Sequence, residues 1–131
     1  MRITLLSIIV QDQAQALAFY RDKLGFVLKE DVPAGEYRWI TLASPEAPEG
    51  TRISLEPAGY DWAKAYQSSL KENGVPLTAF AVNDLQAVYK RLTAAGVSFR
   101  NPPSPGDLAM PSMAMFDDTC GNWIMLYEQK A

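Results

Sequence analysis

Two short stretches decide the fold: Val10-Gln11-Asp12, leading through a helical segment to Leu24-Gly25-Phe26, and Val82-Asn83-Asp84, leading to Ala95-Gly96-Val97. In the first, Ile3 to Val10 is an apolar, β-branched-rich run that reads as a buried strand. Asp12 follows as a helix N-cap, with Gln15 at the capping-box position. Ala14, Leu17, Ala18, Arg21 and Leu24 then recur at three- and four-residue spacing until Gly25, a residue suited to the C-cap. The second stretch repeats this plan: a strand over Leu77 to Val82, Asp84 as N-cap, and a helix through Leu85, Val88, Tyr89, Leu92 and Ala95 that stops at Gly96. The first helix is longer by one residue.

Each helix is followed by three strand candidates. They are Phe26 to Glu30, Tyr37 to Ala43 and Thr51 to Glu56 in the first half, and Val97 to Arg100, Met110 to Phe116 and Asn122 to Glu128 in the second. The links between them carry turn chemistry: Pro33 to Glu36, Ser44 to Gly50, the proline-rich Asn101 to Asp107, and Asp117 to Asn122. An amphipathic segment, Trp62 to Leu70, ends near Asn73-Gly74 and joins the halves as a third helix. The expected fold is α+β, with two βαβββ modules in tandem within one domain: module one at about 1–58, a linker helix at about 60–73 and module two at about 76–129.

Composition narrows the function. The 131 residues are 48% apolar and 21% charged, which suits one packed core. Twelve basic and fifteen acidic residues give a net charge of −3 with no basic stripe, so nucleic acid is not an expected partner. The apolar run Ile3 to Val10 is too short to cross a membrane and lacks a cleavage signal, so no membrane association and a cytoplasmic location are expected. The single cysteine, Cys120, has no histidine to activate it and reads as a turn residue. Histidine is absent from the whole chain.

Val10-x-Asp12, Ala16-Leu17-Ala18-Phe19-Tyr20 with Leu24-Gly25-Phe26, Arg38-Trp39, and Phe116-Asp117-Asp118-Thr119-Cys120-Gly121-Asn122 together resemble the vicinal oxygen chelate superfamily. That superfamily includes glyoxalase I, bleomycin-resistance proteins, fosfomycin-resistance enzymes and extradiol dioxygenases. The resemblance implies a curved, largely antiparallel eight-stranded cup with helices on its outer face. It also implies a homodimer and, in metal-dependent members, a divalent ion held by His, Glu or Gln. Counted from the matching motifs, the four ligand positions fall on Leu5, Ser54, Leu77 and Met125. Leucine offers no donor, methionine only a soft thioether and serine only a neutral hydroxyl, so neither a metal nor another cofactor is expected. With no histidine, a one-residue slip of a strand restores no His-containing site, which leaves only a carboxylate pair such as Glu56 and Glu128.

Strand alternation extends these four positions into a cleft face. It comprises Leu5, Ser7 and Ile9; Arg52, Ser54 and Glu56; Leu77, Ala79 and Ala81; and Trp123, Met125 and Tyr127. Tyr37, Trp39, Thr41, Met113 and Met115 join it if Ile40, Leu42, Ala114 and Phe116 turn toward the helices. Aromatic walls, adaptable methionines and two charges suit an aromatic or hydrophobic small molecule, although the same methionines also suit a filled core. Three functions follow. The first is a metal-free binding protein of the bleomycin-resistance type. The second is a metal-independent lyase or isomerase with Glu56 as general base and Arg52 or Tyr37 as oxyanion or carbonyl partner. The third is a conventional divalent-metal lyase or dioxygenase.

Overall fold

Asp12 and Asp84 start the first and third helices. Each has extended backbone, and each accepts a main-chain amide three residues on, Gln15 at 2.9 Å and Ala87 at 3.0 Å. Gly25 and Gly96 end those segments with φ of 84° and 89°, where a side chain is disfavoured. At the end of α3 (Leu85–Ala94), Val97 donates to Leu92 O at 2.9 Å and Gly96 to Thr93 O at 3.0 Å, the bond pair of a glycine-terminated helix. The first helix must reach the same kind of ending with one more residue. It does so by widening: α1 (Gln13–Leu17) continues as a π-helix over Ala18–Lys23, and Leu24 donates to Phe19 O, five residues back, at 3.2 Å. The wider turn seats Phe19 and the fully buried Tyr20, whose rings meet edge-on at 5.5 Å.

The computed structural model describes residues 1–130, which divide into two compact units, Met1–Gln67 and Ser68 onward. In the first, β1 (Leu5–Val10), β2 (Val27–Ala34), β3 (Tyr37–Ser44) and β4 (Ala47–Pro57) form one sheet in the order β1-β4-β3-β2. β1 runs parallel to β4, and the other pairs are antiparallel. Ile8, Val10, Ile40, Leu42 and Leu55 are buried and alternate onto one face, the side where α1 packs on β3 and β4. β2 runs beyond the expected Glu30 and through Pro33; a proline is tolerated there because β2 is a sheet edge.

α2 (Asp61–Glu72) leads from the first unit into the second. There β5 (Thr78–Val82), β6 (Met113–Asp117) and β7 (Trp123–Glu128) form a sheet in the order β5-β7-β6, with β5 parallel to β7. Ala114, Phe116, Ile124 and Leu126 are buried on the face where α3 packs. The expected strand Val97 to Arg100 is reduced to one bridge, Phe99 to Phe116, so the described residues hold seven strands rather than eight. Pro102, Pro103 and Pro105 follow at once and supply no amide to extend a ladder. β6 also starts later than the expected Met110. Asp107 accepts the amides of Met110 at 2.8 Å and Ala109 at 2.7 Å, folding that stretch into a turn and holding its carboxyl below the ordinary carboxylate range.

One polar side chain organises the first unit. β3 and β4 pair from Ala43 and Arg52 to Thr41 and Ser54, and no farther toward the start of β3. Beyond that point the carboxamide of Gln13, on α1, stands between them. Its Nε2 donates to Leu55 O at 2.8 Å and Arg38 O at 2.7 Å, and its Oε1 accepts from Arg38 N at 3.0 Å. Gln13 thus replaces the missing strand-to-strand bonds. Gln13→Ala leaves these main-chain groups without that partner, so urea unfolding should show a loss of about 2–3 kcal/mol.

Candidate functional site

Strand alternation in the first unit places Leu5, Ser7, Tyr37, Trp39, Thr41, Arg52, Ser54 and Glu56 on the sheet face opposite α1. Ser7 and Thr41 both lie directly beside Ser54, and Arg52 lies between Leu5 and Ala43. Thr41 and Ser54 are each only 1% exposed, which puts two hydroxyls at the buried centre of this face.

A residue absent from the sequence-derived cleft completes it. Leu28 pairs with Leu42, yet Glu30 pairs with Thr41, the very next residue on β3. Lys29 is the extra residue of a β-bulge. Under strict alternation Glu30 would share the helix-side face with Leu28; the bulge turns it to the opposite face. Its carboxylate becomes a hub, with Oε2 accepting from Trp39 Nε1 at 2.7 Å and Oε1 from Arg52 Nη1 at 2.7 Å and Thr41 Oγ1 at 3.4 Å. The sequence carries only a weak signal for this, an apolar residue and a charged one two apart at Leu28 and Glu30, which regular alternation would place on one face.

Glu56 sits apart from that hub. Arg52, two residues away on the same face, is bonded to Glu30 instead, because the bulge brings the Glu30 carboxylate to the guanidinium. Glu56 Oε1 accepts from Ser54 Oγ at 2.9 Å, and Ser54 Oγ lies 3.2 Å from Ser7 Oγ. A hydroxyl has one proton, so if Ser54 donates to Glu56 it accepts from Ser7, which gives a chain Ser7 to Ser54 to Glu56. Tyr37, at the end of the face, lies over Gly59, where any Cβ would meet its hydroxyl at 2.6 Å. The nearby Glu36 carboxylate raises its phenol above the ordinary tyrosine range, so Tyr37 stays a neutral hydrogen-bonding group near pH 7.

In the second unit Met115 stands beside Met125, Met125 beside Ala79, and Met113 beside Tyr127, which stands beside Ala81. Trp123 and Leu77 continue the same face, where Leu77 N donates to Trp123 O at 2.9 Å. Lys71 Nζ covers the Trp123 ring at 4.0 Å from its centroid. Glu128 alternates to the opposite face, and its Oε1 accepts the Leu85 amide at the start of α3, 3.2 Å away.

This chemistry does not fit the metal of a chelating relative. Leu5 and Ser54 in one unit, and Leu77 and Met125 in the other, supply no charged or imidazole donor. Glu128 caps a helix. Among the described residues no three histidine, cysteine, aspartate or glutamate side chains cluster as a metal site would need. No helix of the described residues is long and apolar enough to cross a membrane.

A βαβββ unit followed by a βαββ unit of the same plan, each with a polar or aromatic sheet face, defines a glyoxalase-like fold. The family model described as the glyoxalase/bleomycin resistance protein/dioxygenase superfamily matches residues 2–126, and the chain belongs to that superfamily. It is 47% identical over 129 residues, 98% of this chain and all of the other, to the uncharacterized protein YurT of Bacillus subtilis (strain 168). Among solved structures it is similar to UcmS2, with TM-score 0.84, 31% identity and 98% of both chains covered. It is also similar to TnmS3, an antibiotic binding protein from Streptomyces sp. CB03234, with TM-score 0.74, 27% identity, and 99% of this chain and 97% of the other covered.

The Glu30 hub is testable directly. Glu30→Ala removes the counter-charge of the part-buried Arg52 and the acceptor of Trp39, and should cost on the order of 1 kcal/mol in chemical denaturation. Glu30→Gln keeps an acceptor for the indole and should cost less, with a smaller change in tryptophan fluorescence.

Proposed function

We propose that this chain is a small-molecule binding protein that holds an aromatic or hydrophobic ligand on such a sheet face without a metal ion. The carrying observation is that Leu5, Ser54, Leu77 and Met125, the residues that the resemblance implies as metal-ligand positions, offer no charged or imidazole donor and share faces with Trp39 and Tyr37 in the first unit and with Trp123, Tyr127, Met113 and Met115 in the second. In the first unit Trp39 and Tyr37 offer flat apolar contact beside the polar groups of Glu30, Arg52 and Ser7; in the second unit Trp123, Tyr127 and the methionines offer flat and adaptable contact. The likeness to an antibiotic binding protein supports the same reading. We extend the proposal to a cytoplasmic homodimer. β1 is an edge strand whose Leu5 and Leu6 are 42% and 56% exposed, a surface that a second copy would cover.

Calorimetry against a panel of aromatic compounds should find binders in EDTA-treated protein, with affinity unchanged by added zinc, manganese or nickel. Trp39→Ala should weaken a binder by about tenfold, a typical loss for an aromatic anchor. Binding that appears only after a divalent ion is added would refute the proposal. Sedimentation of the same samples should show a dimer, and a monomer at all concentrations would remove that extension.

The hydroxyl chain Ser7 to Ser54 to Glu56 favours a second reading, a metal-independent lyase or isomerase in which Glu56 accepts a proton. In that case Glu56→Gln should abolish turnover of a substrate found among the binders while leaving its affinity within about threefold. Full turnover by the variant would end this reading.

A further inference from the structure

On the ligand face of the second unit, two cations share one indole. Lys71 Nζ lies 4.0 Å from the Trp123 ring centroid and Arg100 Cζ lies 5.7 Å from it. Both positions are built. The Trp123 indole N–H donates to Lys71 O at 3.2 Å, which ties the ring to the end of α2. The Arg100 guanidinium lies directly over Gly74, whose φ of 68° suits glycine and where any Cβ would overlap the guanidinium. The amide of Arg100 donates to Met115 O at 2.7 Å, which fixes its backbone beside the methionine row.

The charges on this face do not balance. Lys71 pairs with Asp117 at 3.2 Å and also lies 3.5 Å from Asn122 O. Arg100 has no carboxylate within ion-pair distance among the described residues. Glu128, the nearest acid along β7, is turned to the other face to cap α3. One carboxylate therefore serves two cations around one ring. The uncompensated guanidinium stands where the apolar row of Met115, Met125 and Trp123 ends.

We infer that Lys71 and Arg100 form an anion anchor at the end of this face, so that the ligand is a flat apolar molecule carrying one anionic group, a carboxylate, sulfonate or phosphate. The inference rests on the binding function proposed above and adds the ligand's charge. Arg100 supplies a planar fork for the anionic group, Lys71 a second positive charge, and the methionine row the contact for the rings. The guanidinium pays little for this role because Gly74 and Trp123 already hold it in place.

Two dyes separate the anchor from the apolar face: anilinonaphthalene sulfonate, and phenylnaphthylamine, which has the same rings without the sulfonate. The native chain should bind both, the sulfonate about tenfold or more tighter. Raising ionic strength from about 0.01 M to about 1 M should erase that preference, since the screening length falls from about 30 Å to about 3 Å. Arg100→Gln should lower sulfonate affinity about tenfold and leave phenylnaphthylamine affinity unchanged. Phenylnaphthylamine binding with no sulfonate preference, or equal losses of both dyes in Arg100→Gln, would overturn the anchor alone. Failure of both dyes to bind the native chain would overturn the anchor together with the binding function. The salt titration of the native chain decides the matter even if Arg100→Gln folds poorly.

Discussion

The first unit depends on a carboxamide standing in for a peptide group. β3 and β4 separate beyond Thr41 and Ser54, and separated strands leave main-chain donors and acceptors that a protein interior does not tolerate unpaired. Gln13 meets that demand from α1 with three hydrogen bonds to Arg38 and Leu55. The same bonds dock the helix on the sheet, so helix packing and sheet opening are one event. On the opposite face the separation leaves Trp39 and Glu56 unpaired with each other across the strands, at the place where the polar groups of the candidate site collect.

The helices, their caps and the repeat were legible because each rests on local chemistry. An aspartate before an apolar stripe and a glycine after it specify a helix whatever the tertiary context. The extra residue of the first helix was legible as well, but its outcome, a π-helix over Ala18–Lys23, depends on burying Phe19 and Tyr20, and length alone does not encode that. Val97 to Arg100 reads as a strand by composition, yet the prolines after it deny it a ladder, leaving one bridge at Phe99.

The face assignments show the same division. Period-two alternation places Arg52, Ser54 and Glu56 together, and likewise Trp123, Met125 and Tyr127, because β4 and β7 are regular there. It misses Glu30, because a bulge is a tertiary decision: Lys29 leaves the ladder so that Leu28 packs inward while the next charge turns outward. With Glu30 in place, Arg52 leaves Glu56 and the two carboxylates take separate roles. One is a structural hub for Trp39, Thr41 and Arg52; the other ends a hydroxyl chain. The absence of histidine bears on the same faces, since Leu5, Ser54, Leu77 and Met125, where the resemblance implies metal donors, carry only apolar or neutral side chains.

The central claim, an apolar ligand held without a metal, is tested most directly by methyl-labelled methionine NMR on EDTA-treated protein titrated with phenylnaphthylamine. Met113, Met115 and Met125 should shift with a common saturation curve, while the fully exposed Met1 stays still. Shifts confined to Met1 and Met110, or shifts of the three sheet methionines only after a divalent ion is supplied, would contradict it.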